Sequence, residues 1–459
     1  MNQYNTINKK DNKLLYVIDT GLDKFVMFII ALARVLVPAK YKAKFDKLTE
    51  HKDMLHNVVG LAFFNALSGF CVMATQVKLA NYLGAAIYGI YSYCLAIGEV
   101  GARVVIYGRN KTMVRDLIQF PEKRDTLVVS TFFLSLTNLC LFLAAIFLFH
   151  DSLDIKVDWT YFLLILAPCL GGLTLGPVYQ SLRMMSWSSI YGLLRKSTFL
   201  FAIWGLFFLR IEVNLFTVGV ISVLALLLII LFEFYEVSTQ LHIFFFQKVK
   251  LREIWDLYKS NFLIFLSGIT GVAFGPLLRV ILNNYTDSRT VGIYAAGLQV
   301  YHICLFLNTQ IAAVGNPMMA EAGKRDCPIK KRRRLVFRYS AIMLATSLPF
   351  SLPMLLFPGV ITSLLFTEEY APLANYLPIL AVYMLAISIG AVFMQYMISL
   401  RMDKTYFSIY VTSAIGTVLV AYWLIPAYGL LGAFLAFCIP HSIGCICYML
   451  FSLKSLKLQ

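Results

Sequence analysis

Twelve segments of about twenty mainly apolar residues run through this chain and constrain its fold more than any other feature. A helix needs roughly 20 apolar residues to cross a bilayer core about 30 Å thick. Of the 459 residues 59% are apolar and only 14% charged, more apolar surface than one water-soluble core can bury. This excludes a soluble enzyme, a nucleic-acid-binding module, a disulfide-stapled secreted domain and a disordered chain. The sequence predicts an all-α polytopic membrane protein with spans at 56–77, 86–108, 126–149, 160–181, 191–209, 215–238, 260–282, 290–314, 338–361, 372–396, 405–424 and 430–451.

The basic residues predict the orientation of these spans. Of the 40 Lys and Arg residues, 34 lie in the two terminal segments and in alternate loops, here called the basic end: 1–55, 109–125, 182–196, 239–259, 315–338, 397–404 and 452–459. The remaining loops, here called the acidic end, carry Asp151, Asp154, Asp158, Glu212, Asp287, Glu368 and Glu369. Basic loops stay in the cytoplasm, so we expect both termini there. Most of the net charge of +16 is then explained by topology and attraction to membrane lipids, with no nucleic-acid partner.

The spans divide the chain into five segments. Residues 1–55 form a basic cytoplasmic arm, in which the apolar run 25–37 is too short to span and is expected to lie in the membrane interface. A short thirteenth span is the alternative for that run. The segments that follow are a first six-helix bundle (56–238), a cytoplasmic linker (239–259), a second six-helix bundle (260–451) and a cytoplasmic tail (452–459).

The two sets of six spans share short matching sequences in the same order. Leu-Ser-Gly occurs at 67–69 and 266–268, a lone cation at Lys78 and Arg279, Gly-Ile-Tyr at 89–91 and 292–294, and Ser-Leu-Arg-Met at 181–184 and 399–402. Because each half has an even number of spans, the halves run parallel and are related by an axis along the membrane normal. This pattern predicts two similar bundles around a central cavity.

Two motifs give the chain a resemblance to a known family. The run Leu83-Gly84-Ala-Ala-Ile-Tyr88-Gly89-Ile-Tyr91 is similar to the LG-x-x-x-YG-x-Y signature of bacterial polysaccharide-biosynthesis flippases. The run 364–371, LLFTEEYA, resembles that family's LLFGxEY pattern, with Thr367 in place of the usual glycine. The chain resembles the Wzx-type O-antigen flippases, within the superfamily of multidrug, oligosaccharidyl-lipid and polysaccharide exporters.

The resemblance implies a function and a location. It implies transfer of undecaprenyl-pyrophosphate-linked oligosaccharide across the inner (plasma) membrane by alternating access, for the biosynthesis of a polysaccharide such as the O-antigen of lipopolysaccharide. It implies membrane lipids and this glycan as binding partners, and a polysaccharide polymerase and glycosyltransferases as functional partners. No catalytic or metal-binding constellation stands out, and no phosphate-loop motif for ATP occurs. Any coupling ion is therefore expected to be H⁺ or Na⁺.

Glu99 and Arg103 are the deepest charged pair in the sequence. They lie four residues apart on the second span and face the same side of a helix, with Glu99 near the bilayer centre. One interpretation places both in the cavity, where Arg103 contacts phosphate and Glu99 is a proton-sensitive partner in ion coupling. The other is a self-neutralising salt bridge that only orders the helices.

Lys78 and Arg279 occupy equivalent positions in the two halves, towards the acidic end. They are candidates for a two-sided cationic clamp on pyrophosphate, with Arg279 favoured because a guanidinium binds phosphate oxygens in bidentate fashion. The alternative is that both side chains extend to the lipid headgroups.

Four further titratable residues lie in predicted spans. His302 and His441 are expected to be buried, neutral and hydrogen-bonded, and a proton relay is the alternative. Glu233 and Glu236, near the basic end of the sixth span, are expected at headgroup level.

Two other functions compete with polysaccharide export. A cation-coupled multidrug extruder of the same superfamily is expected to place acids in the cavity. Here Glu99 is the only acid deep in a span, and the cations in or beside the spans are Lys78, Arg103 and Arg279. A membrane-embedded glycan polymerase or ligase is expected to carry a long outer loop, and the longest here covers only about 150–159. The sequence favours a transporter of an anionic substrate.

Overall fold

The computed structural model describes residues 52–153, 155–182, 184–243, 250–324 and 327–457. Nearly all of these residues are helical and none is in a β-strand. The predicted interfacial helix at 25–37 lies outside the described residues.

The first half of the described chain is built from helices that correspond to the first six predicted spans. They are α1 (Lys52–Ile106), α2 (Arg109–Gln119), α3 (Arg124–Leu148), α4 (Trp159–Leu170), α5 (Gly176–Ser181), α6 (Met185–Phe208) and α7 (Leu215–Leu241). The long helix α1 contains the first two spans, and α2 is a short connection at the basic end.

The second half repeats this plan with the remaining six spans. Its helices are α8 (Leu251–Thr270), α9 (Pro276–Tyr285), α10 (Ser288–Ala322), α11 (Ile329–Leu356), α12 (Pro358–Leu365), α13 (Leu377–Ser399), α14 (Asp403–Tyr428) and α15 (Leu430–Lys457). Helix α8 begins at Leu251, within the segment predicted as a linker. Nine helical stretches among the described residues are long and apolar enough to cross a membrane, and the first, Phe63–Ile106, joins two predicted spans. The protein is a multi-pass membrane protein.

Three breaks interrupt the long helices. Gly84, with φ 74° and ψ 165°, kinks α1 between the first and second spans, a backbone conformation that suits glycine because it has no Cβ. A 3₁₀ turn at Gly171–Leu173 separates α4 from α5, and another at Gly271–Phe274 separates α8 from α9. In both of these breaks a proline follows at the start of the new helix, where its missing N–H costs no hydrogen bond.

The two halves meet where α1 crosses α10 near the acidic end. A Cβ added to Gly89 would lie 1.6 Å from the carbonyl oxygen of Ser288, and one added to Gly292 would lie 2.0 Å from that of Ala85. The matching glycines of the repeat therefore pack directly against the backbone of the opposite half. This backbone contact is closer than any larger residue would allow.

Candidate functional site

A cavity of about 620 Å³ lies between the two halves. Its walls come from both arms of α1, from the break between α8 and α9, and from α10 and α15. The polar and charged side chains that line it are Gln76, Tyr88, Tyr91, Ser92, Glu99, Arg103, Arg279, Gln299 and His302.

An ion pair crosses the cavity from one half to the other. Arg279 on α9 donates through Nη2 to Oε2 of Glu99 on α1. Its Nη1 lies 3.3 Å from the carbonyl oxygen and 3.4 Å from the hydroxyl oxygen of Ser92. The Glu99 side chain is 45% exposed and that of Arg279 only 13%. Arg279 is thus held on the first half by two residues, one turn after the helix break that begins α9.

Arg103 and Glu99 lie one helical turn apart and both line the cavity, but they do not form the salt bridge that was the alternative interpretation of this pair. Glu99 pairs with Arg279 instead, since the crossing of the two halves brings that guanidinium within reach. The Arg103 side chain is exposed in the cavity wall and forms no ion pair with the described residues. Counting only the part of the chain that the structure describes, the cavity therefore holds one arginine in an ion pair and one without.

Lys78 does not join Arg279 in a clamp. Its Nζ lies 5.1 Å from the centre of the Phe207 ring on α6, a cation–π distance, and Lys78 is absent from the cavity lining. It is exposed and directed away from the interface between the halves. Equivalent positions in the repeat thus hold one cation inside the cavity and one outside.

The exposure of the lining residues shows where the cavity opens. Tyr88, Tyr91 and Ser92, next to the glycine crossing, are each less than 5% exposed. Arg103, near the basic end of α1, and His302, near the middle of α10, are exposed. The cavity is therefore closed at the acidic end and accessible from the basic end.

The two histidines differ. His441 fits the expected hydrogen-bonded role, because its Nδ1 lies 2.6 Å from the hydroxyl oxygen of Tyr383 and its ring stacks on Phe274. His302 lines the cavity and is exposed there.

Glu233 and Glu236 are bonded to protein groups inside the first half. Glu233 is 0% exposed, pairs with Arg195 and accepts the N–H of Leu175 at 2.8 Å. Glu236 accepts the hydroxyl groups of Tyr179, at 2.7 Å, and of Tyr191. The break between α4 and α5 creates this cluster because it frees backbone groups inside the first half.

Arg109 completes the same buried cluster. It is 1% exposed and donates to the carbonyl oxygens of Gly172 and Thr174 in the α4–α5 break. A buried charge is costly unless it is paired or hydrogen-bonded; here Glu233 pairs with Arg195, and Arg109 donates two hydrogen bonds. The cluster lies apart from the cavity lining and ties α2 and α5–α7 into one unit.

A polar group at the closed end of the cavity was not predicted from the sequence. The Gln76 side chain donates to the Tyr91 hydroxyl at 3.0 Å and accepts the Tyr88 hydroxyl at 3.1 Å. Gln76 is a polar residue inside the first span, and that signal marks intramembrane polar groups as functional candidates. Within the described residues, no group of three or more His, Cys, Asp or Glu is placed to hold a metal ion.

Two similar helical halves around a cavity are also the architecture of solved membrane transporters. Solved structures with the same fold include an inward-facing MATE-family multidrug resistance transporter of the MOP superfamily, with a TM-score of 0.61 and 14% identity over 86% of this chain and 94% of that one. A variant of the Vibrio cholerae MATE transporter VcmN has a TM-score of 0.55 and 13% identity, over 88% of this chain and 97% of that one. A MOP-superfamily transporter from Pyrococcus furiosus is described as having a binding pocket of reverse polarity. It has a TM-score of 0.54 and 14% identity, over 88% of this chain and 96% of that one. At these identities the likeness establishes the fold.

The chain belongs to the polysaccharide biosynthesis protein family, whose model matches residues 55–322. Among proteins with curated descriptions, none matches the sequence. The family match covers the first half, the α8–α9 break and α10, and so includes most of the cavity lining.

Proposed function

We propose that this protein is a flippase that moves undecaprenyl-pyrophosphate-linked oligosaccharide from the cytoplasmic to the periplasmic face of the inner membrane by alternating access. The observation that carries the proposal is the cationic cavity between the halves, with Arg279 at its closed end and an unbalanced Arg103 towards its open end. Family membership supports a polysaccharide-related substrate. The product would pass to a polysaccharide polymerase, and glycosyltransferases would supply the substrate.

The physical need for such a cavity follows from the substrate. A charged group at the centre of a bilayer costs about 3 kcal/mol or more, and each unsatisfied hydroxyl adds to that cost. A water-accessible path lined by arginines offsets both penalties, because guanidinium groups bind phosphate oxygens in bidentate fashion. The polyprenyl tail needs no such path and can remain in lipid.

The two arginines suggest an order of binding. Arg103 is exposed near the open end, so it meets the pyrophosphate first. Arg279 lies deeper and is already paired with Glu99, so phosphate must compete with that carboxylate. Protonation of Glu99 would release Arg279, which links substrate binding to H⁺. A Na⁺ ion held by Glu99 would act in the same way.

A cation-coupled multidrug extruder is the second candidate. The observation in its favour is the fold shared with multidrug MATE transporters. The balance of charge opposes it, because the described cavity lining holds two arginines and one carboxylate, whereas a cationic drug requires an excess of acids. Transport of an anionic substrate therefore has the stronger support.

The proposal is tested by replacing each cavity arginine with alanine. Hydrogen bonds to charged groups contribute about 1.5–3 kcal/mol, so Arg103→Ala and Arg279→Ala are each expected to slow transport by about tenfold or more. The measurement is surface polysaccharide in cells that depend on the variant, with the membrane content of each variant quantified. The matched control is Lys78→Ala, because the Lys78 side chain lies outside the cavity. Cells that depend on this variant are expected to display a normal amount of surface polysaccharide. Normal polysaccharide in both arginine variants would remove these residues from the site.

A further inference from the structure

The two sequence motifs that carry the resemblance to polysaccharide flippases meet at the acidic end of the molecule. The first surrounds the Gly84 kink between the first and second spans, and the second covers 364–371 between α12 and α13. They belong to opposite halves, and every polar contact described below joins one half to the other.

The Gly84 kink changes the hydrogen bonding of the α1 backbone. The N–H of Ala85 begins the arm that resumes after the kink, and its helical acceptor, the carbonyl of Asn81, lies on the other side. The carbonyl of Ala80 lies one turn before the kink. Backbone groups at such positions require partners from elsewhere in the molecule.

Two side chains of the second half supply those partners. Oε2 of Glu369 accepts the N–H of Ala85 at 2.7 Å, and the hydroxyl of Tyr370 donates to the carbonyl of Ala80 at 3.0 Å. Glu369 thereby caps the start of the second span, where a negative charge is favoured. A Cβ on Gly84 would lie only 2.9 Å from the same Glu369 oxygen, so glycine also makes room for the carboxylate.

Asn81, in the first half, adds two hydrogen bonds from its side chain to backbone groups of the second half. Its Nδ2 donates to the carbonyl of Leu365 at 2.8 Å, and its Oδ1 accepts the N–H of Thr367 at 3.1 Å. The amide is therefore bonded at both ends to the loop of the other half. Together with Glu369 and Tyr370 this makes four hydrogen bonds between the halves.

We propose that the segment 365–370 is a latch that holds the acidic end of the cavity closed. Opening on that side requires α1 and α10 to separate at the glycine crossing, and the latch bridges the halves just beyond that crossing. All four bonds must break before the cavity can open there. Because Glu369 and Thr367 are exposed, water can replace their bonds when the halves part, so the latch is reversible.

The latch determines the equilibrium between the closed and the open state of the acidic end, whatever solute the protein transports. It goes beyond the proposed function, because it concerns the closure of the empty cavity and holds for a glycan, a drug or any other solute. Its test therefore uses purified full-length protein without substrate, and its failure would leave the proposed function untouched.

The test is hydrogen–deuterium exchange of Glu369→Ala in detergent micelles or nanodiscs. Loss of one hydrogen bond to a charged group is expected to shift the closed-to-open equilibrium by roughly tenfold. We expect faster exchange in 286–298 at the start of α10, whose hydrogen bonds do not involve the Glu369 side chain, and slower exchange in 258–268 of α8 as the basic end closes. The matched control is Glu368→Ala, the neighbouring exposed acid, which forms no side-chain hydrogen bond with the described residues and is expected to leave both segments unchanged.

Two outcomes would overturn the proposal. In one, the faster exchange is confined to 81–86 and 365–371, which would make Glu369 a local helix cap only. In the other, Glu368→Ala has the same effect as Glu369→Ala, which would reflect a loss of surface charge. If Glu369→Ala lowers the yield of folded protein, Asn81→Ala, which removes two latch bonds from the opposite half, must show the same distant changes for the proposal to stand.

Discussion

At the scale of single residues, Arg279 connects the two halves of the protein through its ion pair with Glu99. An ion pair between mobile parts can act as a switch, because a competing anion or a proton removes it. Glu99 is nearly half exposed in the cavity, so a proton can reach it from the open end. Its carboxylate occupies the place where a phosphate of the substrate would bind Arg279.

Replacing Glu99 with glutamine tests this switch. The amide cannot be ionised, so Glu99→Gln is expected to free Arg279 permanently and to flatten the pH dependence of transport. Initial rates of lipid-linked oligosaccharide transfer in proteoliposomes, measured across a series of external pH values, provide the readout. Tyr88→Phe is a suitable control, since it removes a hydroxyl from the same cavity without changing its charge. A Glu99→Gln profile that follows the unmodified protein would leave Glu99 a structural role only.

Much of the candidate site could be predicted from the sequence, but the contacts could not. Glu99, Arg103 and Arg279 stand out because ionisable residues are rare within spans. Their pairing depends on how two halves cross, and spacing within one helix contains no such information. The partners of Glu233 could not be predicted for a related reason: the N–H of Leu175 comes from the α4–α5 break and Arg195 comes from α6.

At the scale of elements, glycine and proline determine where the helices break and where they touch. Their crowding in the fourth and seventh spans coincides with the two 3₁₀ breaks. The second break places Arg279 one turn beyond an interruption of the helix, so bending of the seventh span there would move the guanidinium. Gly89 and Gly292 serve close contact instead, where backbone meets backbone.

Replacing glycine with alanine should have opposite effects on thermal stability at Gly89 and at Gly205. Gly89→Ala is expected to weaken the crossing of α1 and α10, because its Cβ would lie 1.6 Å from a backbone carbonyl oxygen that cannot rotate away. Gly205→Ala in α6 meets no atom within 4 Å and is expected to stabilise the helix by up to about 1 kcal/mol. Thermal unfolding in detergent measures both variants. Equal melting temperatures for Gly89→Ala and the unmodified protein would show that the crossing is not tightly packed in solution.

At the scale of the whole molecule, the internal repeat produces a symmetric scaffold with an asymmetric site. The matching glycines meet at the crossing, yet the matching cations do not, since Arg279 lines the cavity and Lys78 lies beside Phe207. Short repeats in the sequence predict the shared backbone plan because that plan repeats helix by helix. They do not predict side-chain roles, which depend on neighbours that differ between the halves.

The orientation of this scaffold decides the direction of transport and is predicted from charge alone. With 34 of 40 basic residues at one end, that end is expected to face the cytoplasm, and the cavity then opens to the side where lipid-linked sugars are assembled. Ser152 lies exposed in an acidic-end loop and Glu122 lies exposed at the basic end. In intact cells with a permeabilised outer membrane, Ser152→Cys is expected to react with a membrane-impermeant maleimide above the level of the unmodified chain, whereas Glu122→Cys should react only after lysis. The reverse pattern would place the open cavity on the outer face, and the same cationic site would then favour import of an anionic solute over export of a glycan.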